Sequence, residues 1–126
     1  MTGIQPELWV GRPAAAVAFY QAAFGARVLH RVGAGDDIVA QVAVGEAAFW
    51  VGGADDRMGR LDPTVAGGRT GRMLLVVDDP DRTVADAVAA GATLTSPVTD
   101  EHGWRLGRIL DPYGHEWEIG RPAGGQ

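Results

Sequence analysis

The chain contains no cysteine and no lysine. Without cysteine there is no disulfide, no thiolate metal ligand and no thiol nucleophile. Without lysine, Schiff-base chemistry and a phosphate-loop lysine are both excluded. Ser96 is the only serine. It precedes Pro97 and lies outside any G-x-S-x-G turn, which argues against a serine hydrolase. No apolar run approaches the roughly 20 residues of a membrane span. The first residues lack the basic-then-apolar pattern of a signal peptide, so a soluble cytoplasmic protein is the expectation. The net charge is −5, and the 11 basic residues are all arginine, scattered along the chain. That balance opposes nucleic-acid binding, which needs concentrated positive charge. What is present is globular in type: 46 % apolar and 21 % charged residues over 126 positions. This is enough chain for one domain with its own core.

The chain also repeats itself. Val10-Gly11-Arg12-Pro13, Val17 and Phe24-Gly25-Ala26 are echoed by Val77-Asp78-Asp79-Pro80, Val84 and Ala90-Gly91-Ala92. Pro13 and Pro80 are 67 positions apart, as are Val17 and Val84, whereas Gly25 and Gly91 are 66 apart. A repeat that fills the chain predicts two copies of one supersecondary unit with a cleft between them.

Residues 4–10 alternate as a strand, with Ile4, Leu8 and Val10 on one face and Gln5, Glu7 and Trp9 on the other. Pro6 marks an edge or an irregular start. Pro13 opens a helix in its first turn, Val17, Tyr20 and Phe24 follow at helical spacing, and Gly25 stops it. Strands are predicted at 26–32, 37–44 and 47–52, with turns at Gly33-Asp36 and Gly45-Glu46. Residues 53–69 are glycine-rich and aperiodic, and read as a connector that is either a lid or a loose surface linker. The second unit repeats the order: a strand at 71–77, and a helix capped by Asp79 with Val84, Ala85 and Val88 as its apolar stripe. Strands then follow at 92–98, 104–110 and 115–120, with Asp111-Pro112-Tyr113-Gly114 as a turn. The expected fold is α+β: two tandem β-α-β-β-β units forming a curled mixed sheet around a cleft. Unit one covers about 4–52, the connector 53–69 and unit two about 70–120, within a single domain of 1–126.

Tandem units of this kind, Phe19-Tyr20 in the first helix, Phe24-Gly25-Ala26, and the closing Asp111-Pro112-Tyr113-Gly114-His115-Glu116-Trp117-Glu118 resemble the vicinal oxygen chelate superfamily. This is the group of glyoxalase I, bleomycin-resistance proteins and extradiol dioxygenases. The resemblance covers about residues 4–120 and is closest to the small single-domain glyoxalase-like proteins. It implies a homodimer and a divalent metal held by side chains from the first, fourth, fifth and last strands. The usual types are His or Gln, Glu, His and Glu. The matching positions here are Gln5, Trp50, Arg72 and Glu118. An arginine stays protonated and repels a cation, and an indole offers only an N–H donor. One amide and one carboxylate are too few for a stable transition-metal or zinc site. The expectation is therefore no metal and no other cofactor.

Alternation around those positions predicts a ligand-binding face made of Gln5, Glu7, Trp9, Trp50, Arg72 and Glu118, with Glu116 beside them. Arg72 is expected to take the metal's place and form a bidentate pair with Glu118 or Glu7. Two readings of such a pair stand open: a structural ion pair that adds little net stability, or part of a ligand site. An acidic face with indole rings suits a flat or cationic compound. The sequence therefore points to a small-molecule binding protein that makes no use of nucleic acid or membrane. The alternative is a metal-dependent lyase or dioxygenase with a non-standard ligand set such as Gln5, Glu7, Glu118 and a histidine, for which a divalent metal would be the cofactor. Of the histidines, His30 reads as a partly exposed strand residue, His102 as a loop residue and His115 as part of the turn's backbone bonding. Trp117 and Ile119 are expected to pack under a helix, and Trp104 to be half exposed.

Overall fold

The computed structural model describes residues 1–123. Its elements are β1 (Glu7–Val10), α1 (Pro13–Phe24), β2 (Arg27–Val32), β3 (Val39–Val44), β4 (Ala47–Gly53), the short helix α2 (Pro63–Ala66), β5 (Met73–Val76), α3 (Pro80–Ala89), β6 (Thr93–Glu101), β7 (Trp104–Leu110) and β8 (Glu116–Pro122). They form two four-stranded mixed sheets, ordered β1-β4-β3-β2 and β5-β8-β7-β6. Each first strand runs parallel to its neighbour, β1 to β4 and β5 to β8, and the other pairs are antiparallel. The fold is α+β, built from the two tandem β-α-β-β-β units expected. Two of the four edge strands are irregular: β2 slips register between Val28 and His30, and β6 slips on both sides of Ser96.

Local punctuation sets the helices. Pro13 occupies the first turn of α1, and Gly25 closes it at φ 67°, its N–H bonded to the Gln21 carbonyl. Asp79 caps α3, its carboxylate accepting from the Arg82 N–H, with Pro80 in the first turn. The buried stripe of α3 is Pro80, Val84 and Ala87, whereas Ala85 and Val88 face outward. Positions i, i+4 and i+7 share a face, Ala85 falls outside it, and Val88, one turn beyond Val84, lies at its margin and stays 41 % exposed.

β1 starts at Glu7 rather than residue 4, because Pro6 has no N–H for a ladder. Ile4 is solvent-exposed rather than on the inner face with Leu8 and Val10. β5 is also shorter than expected, so Arg72 lies just before it. No helix among the described residues is long and apolar enough to cross a membrane.

The core lies between the sheets and the helices, and it joins the two units within one chain. Helix α1 packs against α3. Tyr20 of α1 is fully buried, its ring edge-on to Phe49 of β4 (centroids 5.3 Å) and 5.6 Å from Trp117 of β8. Trp117 and Ile119 are buried as expected. At the centre is Asp111, a charged side chain only 3 % exposed. Its Oδ2 accepts from the Tyr20 hydroxyl (2.5 Å) and the Trp117 indole N–H (2.9 Å), and its Oδ1 from the backbone N–H groups of Tyr113 (2.8 Å) and His115 (3.0 Å). Four donors satisfy a carboxylate that would otherwise be too costly to bury. The Gly114 N–H closes the turn onto the Asp111 carbonyl. Burial foremost, then the Asp111 charge, hold the Tyr20 hydroxyl well above its ordinary pKa of 10.0.

The connector is not a loose linker. It contains a 3₁₀ turn at Asp56–Met58, a bridge between Asp55 and Arg60, and α2, capped by the Asp62 carboxylate on the Thr64 N–H. It is pinned to the body of the molecule. A Cβ on Gly114 would lie 2.8 Å from the Pro63 Cβ, and one on Gly11 only 2.5 Å from Asp62 Oδ2. The Arg69 Nε donates to the Gly114 carbonyl at 3.1 Å.

Candidate ligand-binding site

The strand alternation that turns Leu8 and Val10 into the core turns Glu7 and Trp9 to the opposite face, away from the helices. On this face Gln5 is held by two donors. Its Oε1 accepts from the Trp50 indole N–H at 2.8 Å and from Gln41 Nε2 at 2.9 Å. Trp50 and Gln41 are register partners across β4 and β3. The Trp50 ring lies nearly parallel to the His30 imidazole, 14° between planes and 6.5 Å between centroids. The sequence reading placed Gln5 and Trp50 together but missed Gln41 and His30. The signal was there for Gln41, the one polar residue in Val39-Ala-Gln-Val-Ala-Val44.

The second sheet carries a charge ladder. Arg72 Nη1 is 2.9 Å from Glu116 Oε2, and its Nη2 is 3.0 Å from Glu118 Oε2. The same Glu118 oxygen accepts from Arg108 Nε at 3.0 Å, and Arg108 Nη2 reaches Glu101 Oε1 at 2.8 Å. Arg72 therefore pairs with Glu118, but it spans two carboxylates instead of gripping one, and Glu7 is not its partner. Arg108 and Glu101 went unforeseen because their place depends on register: Arg108 sits opposite Glu118 across β7 and β8. The hydrogen bonds that it donates to Glu101 and then to Glu118 raise the Arg108 guanidinium above its usual pKa.

The positions that the resemblance assigns to metal ligands do not fit a divalent cation. The Gln5 oxygen already accepts two hydrogen bonds, Trp50 presents a donor, and the Arg72 cation stands against Glu118. No cluster of three or more His, Asp or Glu side chains suited to a metal occurs among the described residues. The histidines do not converge. His30 and His102 are exposed, and His115 Nε2 lies 2.9 Å from the Trp9 carbonyl, tying unit two to β1. The imidazole of His115 thus bonds β1, while its backbone N–H serves the turn. Trp104 is half-buried.

The six predicted residues do not share one cavity. Glu7, Trp9 and Trp50 line a small cavity of ≈ 110 Å³ together with Val39 and Arg60. Gln5 lines a separate one of ≈ 320 Å³ with Ala48, Met73 and Leu74. Neither Arg72 nor Glu118 lines these two cavities; in the pair they form, Arg72 is 46 % exposed and Glu118 14 %. Among the described residues Glu7 has no ion-pair or hydrogen-bond partner for its carboxylate, unlike Glu116 and Glu118.

The family model described as a glyoxalase-like domain matches residues 8–120. The uncharacterized protein Rv0887c of Mycobacterium tuberculosis is 36 % identical over 126 residues, spanning 95 % of this chain and 74 % of that protein. Among solved structures, TioX from Micromonospora sp. ML1 is 28 % identical with a TM-score of 0.71, covering 99 % of both chains. A glyoxalase/bleomycin resistance protein/dioxygenase family enzyme from Burkholderia phytofirmans, 22 % identical with a TM-score of 0.70, covers 92 % of this chain and 94 % of its own and shares the fold.

Proposed function

The chain belongs to the glyoxalase-like domain family of the vicinal oxygen chelate superfamily, and on that premise we propose that it is a small-molecule binding protein of the glyoxalase/bleomycin-resistance type with a degenerate metal site. The observation that carries this reading is Arg72, ion-paired to Glu116 and Glu118 at a position the resemblance gives to a metal ligand. A fixed guanidinium there supplies the positive charge that the two carboxylates need. The binding surface is the wall around Glu7, Trp9 and Trp50. The Glu7 carboxylate, unpartnered among the described residues, lines this wall with two tryptophans and with Arg60 at its side, and ring faces and acid together favour a flat or cationic compound. In this reading the protein is a cytoplasmic homodimer that sequesters its ligand.

The test is metal content and ligand response on untagged protein purified without chelator. Less than one nickel, zinc or manganese per chain, no stabilisation by those ions, and a rise in Tm with N-methylquinolinium that the Glu7→Gln variant loses support the proposal. One tightly held metal per chain would overturn it in favour of a lyase or dioxygenase.

A further inference from the structure

The largest cavity of the three, ≈ 590 Å³, lies where the connector crosses the seam between β1 and β5. Its walls are mostly apolar, with Leu61, Pro63 and Ala66 on the connector side and Met73 facing them. This volume falls in the range of small-molecule sites, and one or two fixed polar groups in an apolar pocket are what orient a ligand. Two ionisable side chains line it, Arg69 and His115, and no acidic residue does. The nearby Asp62 carboxylate is engaged with the Thr64 N–H and hydroxyl. Arg69 is held in place by its Nε bond to the Gly114 carbonyl, which leaves its two terminal nitrogens for a ligand. His115 is occupied by the Trp9 carbonyl.

We propose that this cavity is a second binding site, for an apolar monocarboxylate whose hydrocarbon body fills the space under α2 and whose carboxylate pairs with Arg69. The charge it selects is opposite to that favoured at Glu7. Leu8 and Trp9 line both cavities, but Glu7 and Trp50 line only the first and Arg69 only this one, so the site stands or falls independently of that reading. The connector gives the cavity a roof held at two places: Pro63 lies against Gly114 and Asp62 against Gly11. A roof fixed beforehand reduces the ordering cost of binding.

The experiment compares 4-phenylbutyrate, its neutral amide and 4-phenylbutylamine by calorimetry on the whole protein. The acid should bind, the amide about tenfold more weakly, and the amine not at all at this cavity, since a charge-assisted pair contributes about that much. Arg69→Gln should lower the acid to the affinity of the amide. Ala66→Trp, which fills the cavity from an exposed helix position, should abolish binding of both while leaving the response to N-methylquinolinium. Equal affinity for acid and amide in the unaltered protein overturns the assignment without recourse to any variant. So does full binding by Ala66→Trp. Loss of the quinolinium response alone would count against the Glu7 site and leave this one standing.

Discussion

The hydroxyl of Tyr20 and the carboxylate of Asp111, 91 positions apart in sequence, meet at 2.5 Å in the buried core and couple the first helix to the last turn. This contact crosses from one unit to the other. Tyr20→Phe removes one of four donors to a buried anion and should lower stability by about 1–3 kcal/mol in urea unfolding. Asp111→Asn should cost more, about 3 kcal/mol or above. Its amide nitrogen would face either the Trp117 N–H, which cannot accept, or the two backbone N–H groups. Equal effects of the two variants would show that Asp111 is not the hub.

The same contact sets the alkaline limit. Because the Tyr20 hydroxyl is raised in the folded state, the unfolded chain ionises first as pH increases. Folded protein then binds more protons than unfolded, so stability is complete below about pH 10 and falls above it. The partly buried Tyr113 shifts the same way, first through burial. Tyr20→Phe should therefore flatten the decline without abolishing it. The check is a series of urea midpoints between pH 8 and 11.

The charge ladder should be forgiving at one rung and not at two. Arg72→Ala should cost at most about 1 kcal/mol, because its side chain is nearly half exposed and Glu118 keeps Arg108. Arg108→Ala should cost more, since it strips Glu101 and loads Glu118 onto Arg72 alone. The double variant leaves Glu118 with no cation and should exceed the sum of the singles by about 0.5 kcal/mol or more. The excess should shrink in high salt.

Gly114 carries two constraints at once, a φ of 89° and contact with Pro63 and Thr64. Gly114→Ala should cost about 2 kcal/mol or more. It should also lift the connector, seen as faster proteolysis between Gly67 and Gly71. Gly68→Ala, where no atom lies within 4 Å of the added carbon, serves as the neutral control.

Much of the architecture was legible in the chain because it is written in local signals. Pro13 with Gly25, and Asp79 with Pro80, mark helix ends through backbone chemistry that needs no tertiary partner. Alternation around Trp117 and Glu118 separated core from open face in the same way. Most of what it did not reveal depends on contacts made between distant segments. The glycines of the connector leave a lid and a loose linker equally open, and the choice is made by Gly11 and Gly114, where it docks. Ala85 and Val88 are apolar but lie off the stripe that packs. Arg72 met Glu118 as anticipated, while Arg108 and Glu101 joined them through strand register that no local pattern reveals.

The irregular outer strands have a consequence for life in a crowded solution. Strand β2 is exposed along its whole length, with Leu29 and Val32 open to solvent, and β6 is nearly so. Straight, such rims would offer rows of unpaired amides to any neighbouring chain. The slip at Val28–His30 breaks one row, and the slips around Ser96 with Pro97 beside them break the other. Growth by strand addition is thereby obstructed at these two edges, and the opposite edges, β1 and β5, offer only four residues each.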